Sequence, residues 1–298
     1  MEHNGFTSGQ QNVKLQLTAL SFLQYFVWGA WLITVGKYCT LTMNWSFTEF
    51  GAIFTTMGIS SVFMPSLMGI VADKWMHAER LLGLLHALSG ITIASLPFVK
   101  DPHVFFWVTL VAMIFYMPTI ALSNSVSYSV LGQYQLDPVK TFPPIRVFGT
   151  LGFIAAMWVT DLTGNSASAN QFYISAISAL TLATFAFFLP KCPPNKGDNK
   201  GKSLVQMLGL DAFKLMLNYK MLLFFLFSLM LGCALQLTNM YGDTYLSTFE
   251  SFPRYADAFA VKHSTVIMSI SQVSETLFIL AIPFFLRRFG IKQVMLMS

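Results

Sequence analysis

Long uninterrupted runs of apolar residues constrain this chain more than any other feature of its sequence. A helix needs about 20 consecutive apolar residues to cross the hydrocarbon core of a bilayer. We predict a membrane-spanning helix in each of eight such runs, numbered spans 1 to 8: 15–36, 50–72, 81–99, 104–131, 145–165, 171–190, 221–245 and 264–286. A ninth apolar run begins near Val294. The predicted fold class is therefore an all-α integral membrane protein.

The composition agrees with this class and argues against others. The chain is 55% hydrophobic and 10% charged, whereas soluble domains carry roughly 25% charged residues. Its 3 cysteines are too few and too scattered for a disulfide framework or a metal cage. The spans also carry no His/Glu cluster at metal-ligand spacing and no nucleophile with a nearby base. We therefore expect no cofactor, no metal and no enzymatic activity.

The basic residues indicate topology, because Lys and Arg are enriched in the cytoplasmic loops of membrane proteins. With a cytoplasmic N-terminus, 14 of the 18 basic residues fall on the cytoplasmic side, and the outer side holds only Lys37, Lys100, Arg254 and Lys262. We therefore predict that the N-terminus is cytoplasmic. We therefore interpret the net charge of +5 as a signal of membrane topology and not of a nucleic-acid-binding surface, and we expect no nucleic-acid partner.

The longest break between spans divides the chain into unequal parts. Residues 191–220 open with Pro-Pro and a flexible Gly-, Asn- and Lys-containing stretch, and the apolar residues after Ser203 are compatible with a short amphipathic interfacial helix. We interpret 1–190 as an N-terminal six-helix half, 191–220 as a cytoplasmic linker, and 221–298 as the start of a C-terminal half. A bundle of six plus six spans needs further helices, so we expect the chain to be truncated after eight complete spans.

An acidic residue lies near the middle of span 8. Glu275 is the only charged residue within 264–286. A charged side chain at the bilayer centre costs about 2.5–3.5 kcal/mol on insertion scales. Its presence therefore indicates a function, either substrate binding or proton uptake and release, and we expect the carboxyl to be buried. The alternative is an acid neutralised by a neighbouring helix for packing alone.

Polar residues recur at helical spacing in the second half. Span 7 carries Gln236 and Asn239 at i and i+3, and span 8 carries Gln272 three residues before Glu275. Such residues share one helix face and can bind a ligand with many polar atoms. The alternative is interhelical hydrogen bonding, worth about 0.6 kcal/mol per contact. Two such pairs on successive spans favour a polar cavity.

Span 5 has a similar face. Arg146, Thr150 and Phe153 follow a Pro-Pro pair at i, i+4 and i+7, so they lie on one side of the helix. Arg146 either contributes to a site or extends to the cytoplasmic headgroups. In span 1, Trp28 lies well inside the membrane, where its indole N–H needs a hydrogen-bond partner.

The cytoplasmic end of span 2 carries a short motif. Gly69 and Asp73 belong to the sequence GIVADK, a partial match to the G-x-x-x-D-R/K motif between spans 2 and 3 of the major facilitator superfamily. The basic run that normally follows is replaced by residues 75–79. We expect Gly69 to permit close approach of a neighbouring helix, and Asp73 and Arg80 to act as a conformational latch.

Longer strings resemble the bacterial nucleoside permeases, the nucleoside:H⁺ symporter family of the major facilitator superfamily, from about Val13 to Ser298: LQLTALSFLQYFVWGAWL, GIVADKW, FPPIRVFGTLGF, LGLDAF, LQLTNMYGDTYL and IMSISQVSETLFILAIPFFLRRFGIK. The resemblance implies a two-half helical bundle that imports nucleosides with protons across the inner membrane of a Gram-negative cell, as a monomer. It places the nucleoside against Arg146, Thr150, Phe153, Gln236, Asn239, Gln272 and Glu275. Further determinants of the family, including an acid on a later span, correspond to positions past Ser298.

Two other classes of function stay open at this point. The same cavity in a facilitator could bind another polar solute, such as a sugar or a drug, or xanthosine alone. A membrane receptor or a non-transporting fragment would bind a ligand without moving it. Competition by nucleosides and a comparison of binding with flux distinguish these alternatives.

Overall fold

Eight long helices form the chain in this computed structural model, which describes residues 7–194 and 210–297. We number them α1 to α8 in chain order: Ser8–Gly29, Phe47–Lys74, Ala78–Ser95, Pro102–Gln133, Pro138–Leu162, Asn170–Ala186, Tyr219–Ser247 and Ser264–Met297. Shorter helical segments lie at Val35–Lys37, Tyr38–Thr42, Leu96–Phe98, Leu210–Leu217, Thr248–Ser251 and Phe259–Lys262. No strand occurs within the described ranges, which agrees with the predicted all-α class.

Six helical segments in the described ranges are long and apolar enough to cross a membrane: Phe47–Lys74, Ala78–Phe98, Pro102–Gln133, Pro138–Leu162, Tyr219–Ser251 and Ser264–Ala281. The first and sixth predicted spans do form helices, α1 and α6, but these fall short of that measure. Helix α6 has only 17 residues, and the first half of α1 is rich in Gln and also carries Lys14. By this measure the described ranges hold six candidate spans, and the prediction of eight complete spans is not confirmed.

Most of these helices begin at residues that cap them. Thr7 and Ser46 each form a reciprocal capping box at the start of α1 and α2, and Asp101, Asp137 and Asn218 accept backbone N–H bonds at the starts of α4, α5 and α7. The first backbone N–H groups of a helix have no partner within it, and one such cap is worth about 1 kcal/mol. The boundaries of these helices thus follow from local chemistry.

Helices α1 and α5 touch backbone to backbone. A Cβ atom on Gly29 of α1 would lie 2.5 Å from the carbonyl oxygen of Phe153, and one on Gly152 of α5 would overlap the carbonyl of Phe22. Helices in membranes approach this closely only where small residues meet. The two glycines therefore fix α1 and α5 as one unit.

A buried polar layer separates two apolar clusters among α1 to α6. The Gln24 side-chain amide donates to Thr119 Oγ1 at 2.8 Å, and its Oε1 lies 2.8 Å from His86 Nε2. The backbone carbonyl of Gln24 accepts a hydrogen bond from the Tyr116 hydroxyl at 2.8 Å. His86 is fully buried, as expected for a packing residue. This layer ties together α1, α3 and α4.

We call the end of the bundle where α1 begins the proximal end, and the opposite end the distal end. Helix α7 runs from proximal to distal, and most of its residues before Gln236 are exposed. Helix α8 returns along α5 and is interrupted at Gly290, whose φ of 73° is not helical. The interruption lies between predicted span 8 and the predicted ninth run.

The predicted linker helix falls largely outside the described residues. Of the segment after Ser203, the structure describes the part from Leu210 onward, and Leu210–Leu217 forms a 3₁₀ helix. The division into two halves and a linker stays a prediction.

Candidate functional site

A single cavity of about 200 Å³ brings together every residue for which the sequence predicts a role in ligand binding. It lies where α1, α5, α7 and α8 meet. Its polar lining is Arg146, Thr150, Gln236, Asn239, Gln272 and Glu275, and its apolar and aromatic lining is Tyr25, Trp28, Leu32, Phe153 and Leu235. Residues about 130 positions apart in the sequence therefore face the same space.

The α5 side of this cavity is preorganised around Arg146. The guanidinium carbon lies 4.0 Å from the centre of the Tyr25 ring, which is the geometry of a stabilising cation–π interaction. Gly149 makes room for it, because a Cβ there would lie 2.6 Å from the Tyr25 ring and 2.8 Å from Arg146 Nη1. Arg146 is thus held at the cavity and does not extend to the headgroups. Its Nη1 is buried and has no hydrogen-bond partner among the described residues.

The α7 and α8 side is more open. Gln236, Asn239 and Gln272 are partly exposed, and Glu275 is exposed. The expected burial of Glu275 is therefore wrong for the described chain. The physical reason is that α8 packs against α5 through another face, where Ser269 accepts a hydrogen bond from Trp158 at 2.9 Å. No described helix covers the face that carries Glu275.

A second cavity of about 460 Å³ adjoins the first and shares Trp28 and Gln236 with it. Its other lining is mostly apolar and includes Phe54, Met57 and Met117. The Trp28 ring packs on Tyr116 with centroids 5.8 Å apart, yet its buried Nε1 has no partner among the described residues. The predicted partner for this N–H is thus absent from that part of the chain.

The lining of the first cavity suits a neutral, polar, ring-bearing solute. Arg146 and Glu275 are its only charged side chains, and their charges cancel when both are ionised. Three amides and a hydroxyl supply donors and acceptors, while Phe153 and Trp28 supply flat apolar surface. Its volume is below the roughly 300–1,000 Å³ of sites for drug-sized ligands. Within residues 7–194 and 210–297, no group of His, Cys, Asp or Glu is placed to hold a metal ion.

The predicted latch residues lie far from the cavity, at the proximal end. Asp73 and Arg80 are exposed, and no described hydrogen bond or ion pair joins them. Among the described residues, nothing outside its own helix turn lies within 4 Å of the position that a Cβ on Gly69 would take. No described helix therefore approaches closely there, and the latch role of Gly69 stays a prediction.

Two residues near these sites are not predicted from the sequence. Tyr25 packs against Arg146, and its position three residues before Trp28 places it on the same helix face, so helical spacing could have predicted it. Glu79 is 2% exposed and accepts the Cys192 backbone N–H at 2.8 Å. No local sequence pattern predicts this contact, since the two residues are 113 positions apart.

The helical bundle and its polar cavity between two groups of helices define a membrane transporter. Residues 11–298 match the nucleoside H⁺ symporter family. Two relatives from Escherichia coli strain K12 are the xanthosine permease, 48% identical, and the nucleoside permease NupG, 47% identical. Each alignment covers 96% of this chain and 68% of the relative.

Solved structures give the same result. The crystal structure of a point mutant of the nucleoside transporter NupG superposes with a TM-score of 0.89 at 48% identity, over 95% of this chain and 70% of that one. A second NupG crystal structure gives a TM-score of 0.84 at 47% identity. This chain belongs to the nucleoside H⁺ symporter family. It is a transporter and not an enzyme.

Proposed function

We propose that this chain imports nucleosides together with protons across a bacterial inner membrane, as a monomer with a cytoplasmic N-terminus. The proximal end then faces the cytoplasm and the distal end faces outward. The proposal also assigns the chain to the two-half architecture of the major facilitator superfamily, in which a central site is exposed alternately to each side.

One observation carries this proposal: residues from α5 and residues from α7 and α8 converge on the same cavity. Arg146, Thr150 and Phe153 come from α5, while the amides and Glu275 come from α7 and α8. A site divided between two halves can respond to their relative movement. It can therefore couple occupancy to the direction in which it opens.

The chemistry of each wall suggests how a nucleoside binds. We assign Gln236, Asn239 and Gln272 to ribose hydroxyls and base edges, because an amide offers both a donor and an acceptor. Phe153 packs on the base. Thr150 and Arg146 add donors on the α5 side, where the guanidinium already lies against Tyr25.

Gly69, Asp73 and Arg80 are proposed as a conformational latch at the cytoplasmic end. Asp73 and Arg80 are both exposed and not joined to each other in the described structure. They are therefore available to form new pairs in a different state of the transport cycle.

Glu275 is the proposed proton-coupling residue, and substitution by Gln tests it. Glu275→Gln keeps the shape and hydrogen-bonding capacity but cannot exchange a proton. We expect it to lose concentrative uptake of radiolabelled uridine under an imposed proton gradient, while uridine exchange at equilibrium continues. Glu250→Gln, a substitution at an exposed acid outside the cavity, is the matched control and should transport normally.

Two outcomes would change the assignment. If Glu275→Gln still concentrates uridine against its gradient, the coupling role is wrong. If exchange is lost together with uptake, Glu275 binds the nucleoside and the coupled proton is carried elsewhere. Competition by adenosine, xanthosine and a hexose in the same assay tests the substrate class.

A further inference from the structure

A buried ion pair joins the segment that follows α1 to the distal end of α7. Lys37 Nζ lies 3.2 Å from Asp243 Oδ1, and the two side chains are 6% and 0% exposed. Ser264 and Thr265, at the start of α8, donate to the same Oδ1 at 2.7 and 2.9 Å, and Lys37 donates to Ser264 Oγ at 2.6 Å. A lysine from one half is thus enclosed by an acid and hydroxyls from the other.

The local fold carries Lys37 into this position. After α1 ends at Gly29, the chain turns and then forms Val35–Lys37 and a π-helical segment, Tyr38–Thr42. Residues 30–39 are all buried. π-helical segments are rare and are frequently found at functional sites. We call the contact surface between α1 to α6 and the pair α7 and α8 the seam. The segment holds the Lys37 ammonium group inside this seam, although the residues around it in the sequence are mostly apolar.

A second pair continues the first. His263 Nδ1 lies 2.8 Å from Asp161 Oδ2 at the end of α5, and Ser166 donates to Asp161 Oδ1 at 2.9 Å. The Ser166 hydroxyl is 3.4 Å from that of Thr265, which bonds to Asp243. Each hydroxyl donates its one proton to a carboxylate, so the two clusters lie next to each other through this contact and are not joined by a continuous chain of hydrogen bonds.

Steric contact reinforces these polar contacts. A Cβ on Gly36 would overlap Thr244 Oγ1 of α7 and would lie 3.1 Å from the Phe50 ring. Nearer the cavity, Trp158 of α5 donates to Ser269 of α8 at 2.9 Å. The distal end is thus closed by packing as well as by charge.

We propose that Lys37 and Asp243 are positioning residues of the transport cycle: their ion pair holds the outer side of the site closed and must separate before a solute can enter from outside. The inference rests on the proposed function, since only a transporter needs this end to open. Removing one partner of a buried pair leaves the other charge without compensation. In the closed state that charge stays buried, whereas opening allows it to be hydrated. Either single substitution should therefore shift the protein toward the outward-open state.

The test measures access from the outside. The full chain in cells, with Cys39, Cys192 and Cys233 replaced by Ser, receives one reporter, Met240→Cys. Met240 is 8% exposed, lines the second cavity and precedes Asp243 by three residues. A membrane-impermeant thiol reagent is applied to the cells. We expect Lys37→Met and Asp243→Asn to label about tenfold faster than the parent, equivalent to about 1.4 kcal/mol of lost coupling.

Asp257→Asn is the matched control. Asp257 also pairs with a lysine, Lys262, at 2.8 Å, but this pair is exposed and lies within the C-terminal part. Its loss should leave labelling unchanged. Equal labelling of the parent, Lys37→Met and Asp243→Asn would overturn the proposal.

A steric variant keeps the proposal testable if the charge variants fail to accumulate. Gly36→Val should wedge the distal end apart and speed labelling, and Thr244→Ala on the same chain should reverse part of that gain. Labelling needs no substrate, so it separates the two proposals. If the variants label faster than the parent but the parent transports no nucleoside, the outer closure is supported and the proposed substrate is refuted. Unchanged labelling of Gly36→Val, like that of the charge variants, would refute the closure.

Discussion

The contact surface between α1 to α6 and the pair α7 and α8 differs sharply at its two ends. At the distal end, Lys37 is paired with Asp243 of α7 and both are almost fully buried, while the buried Asp161 contacts His263, which is 34% exposed. At the proximal end, Asp73 and Arg80 are exposed and open space surrounds Gly69. The buried polar contacts at the distal end therefore have no counterpart at Asp73 and Arg80 in the described residues.

The largest expected effect comes from making the distal contact permanent. Gly36→Cys with Thr244→Cys places two thiols where the halves already touch, close enough for a disulfide. Oxidation should abolish nucleoside uptake almost entirely in a background without the native cysteines, and a reductant should restore it. Uptake measured before and after reduction checks this.

The single-cysteine variants are the controls and should be insensitive to oxidant. Full uptake by a chain shown by mass spectrometry to be cross-linked would mean that the distal end need not open. The contrast between the two ends would then have no role in transport.

A smaller effect is expected at the proximal end, and it concerns the stability of the fold and not access to the cavity. Glu79→Met removes the acceptor of the Cys192 backbone N–H. Leaving a buried donor unsatisfied costs about 1–3 kcal/mol, so the melting temperature in detergent should fall by several degrees. Asp73→Asn, which changes an exposed acid nearby, should leave the melting temperature unchanged. Equal melting of both variants and the parent would show that the Glu79 contact does not hold this end together.

The smallest effect concerns the reactivity of Cys192. Its thiol is buried, and burial, with a lesser contribution from the charge of Glu79, raises its pKa, although a hydrogen bond with Ser129 opposes the rise. A raised pKa lowers the thiolate fraction at pH 8, so Cys192 should alkylate more slowly than a cysteine introduced by Lys140→Cys, a position whose side chain is 85% exposed. Peptide mass spectrometry after brief maleimide treatment measures both rates, and raising the pH should speed Cys192. Comparable rates at pH 8 would show that the Cys192 segment opens readily.

The sequence anticipates the helices and the members of the cavity lining for a physical reason. Apolar runs and helical spacing are local properties, so Gln236 and Asn239, or Arg146 and Thr150, are recognisable as faces before any tertiary structure is known. That the two walls meet in one cavity depends on packing, and there the resemblance to the family supplied what spacing alone could not.

What the sequence does not predict is pairing over long separations. Lys37 stands out only as a charge at the end of a span, and Asp243 only as a polar residue near the Gln236 stripe. Their ion pair depends on how α7 lies against the turn after α1. The same limit applies to the exposure of Glu275 and of Gly69, because it is decided by neighbouring helices and not by the helix that carries each residue.

The backbone contact at Gly29 and Gly152 has a consequence for the energetics of binding. Because α1 and α5 are joined there, Tyr25, Trp28 and Arg146 form a wall that a solute meets already ordered. In the proposed nucleoside site, the loss of conformational entropy on binding falls mainly on the amides of α7 and α8. Binding there is divided between an ordered surface on α1 and α5 and adaptable side chains on α7 and α8.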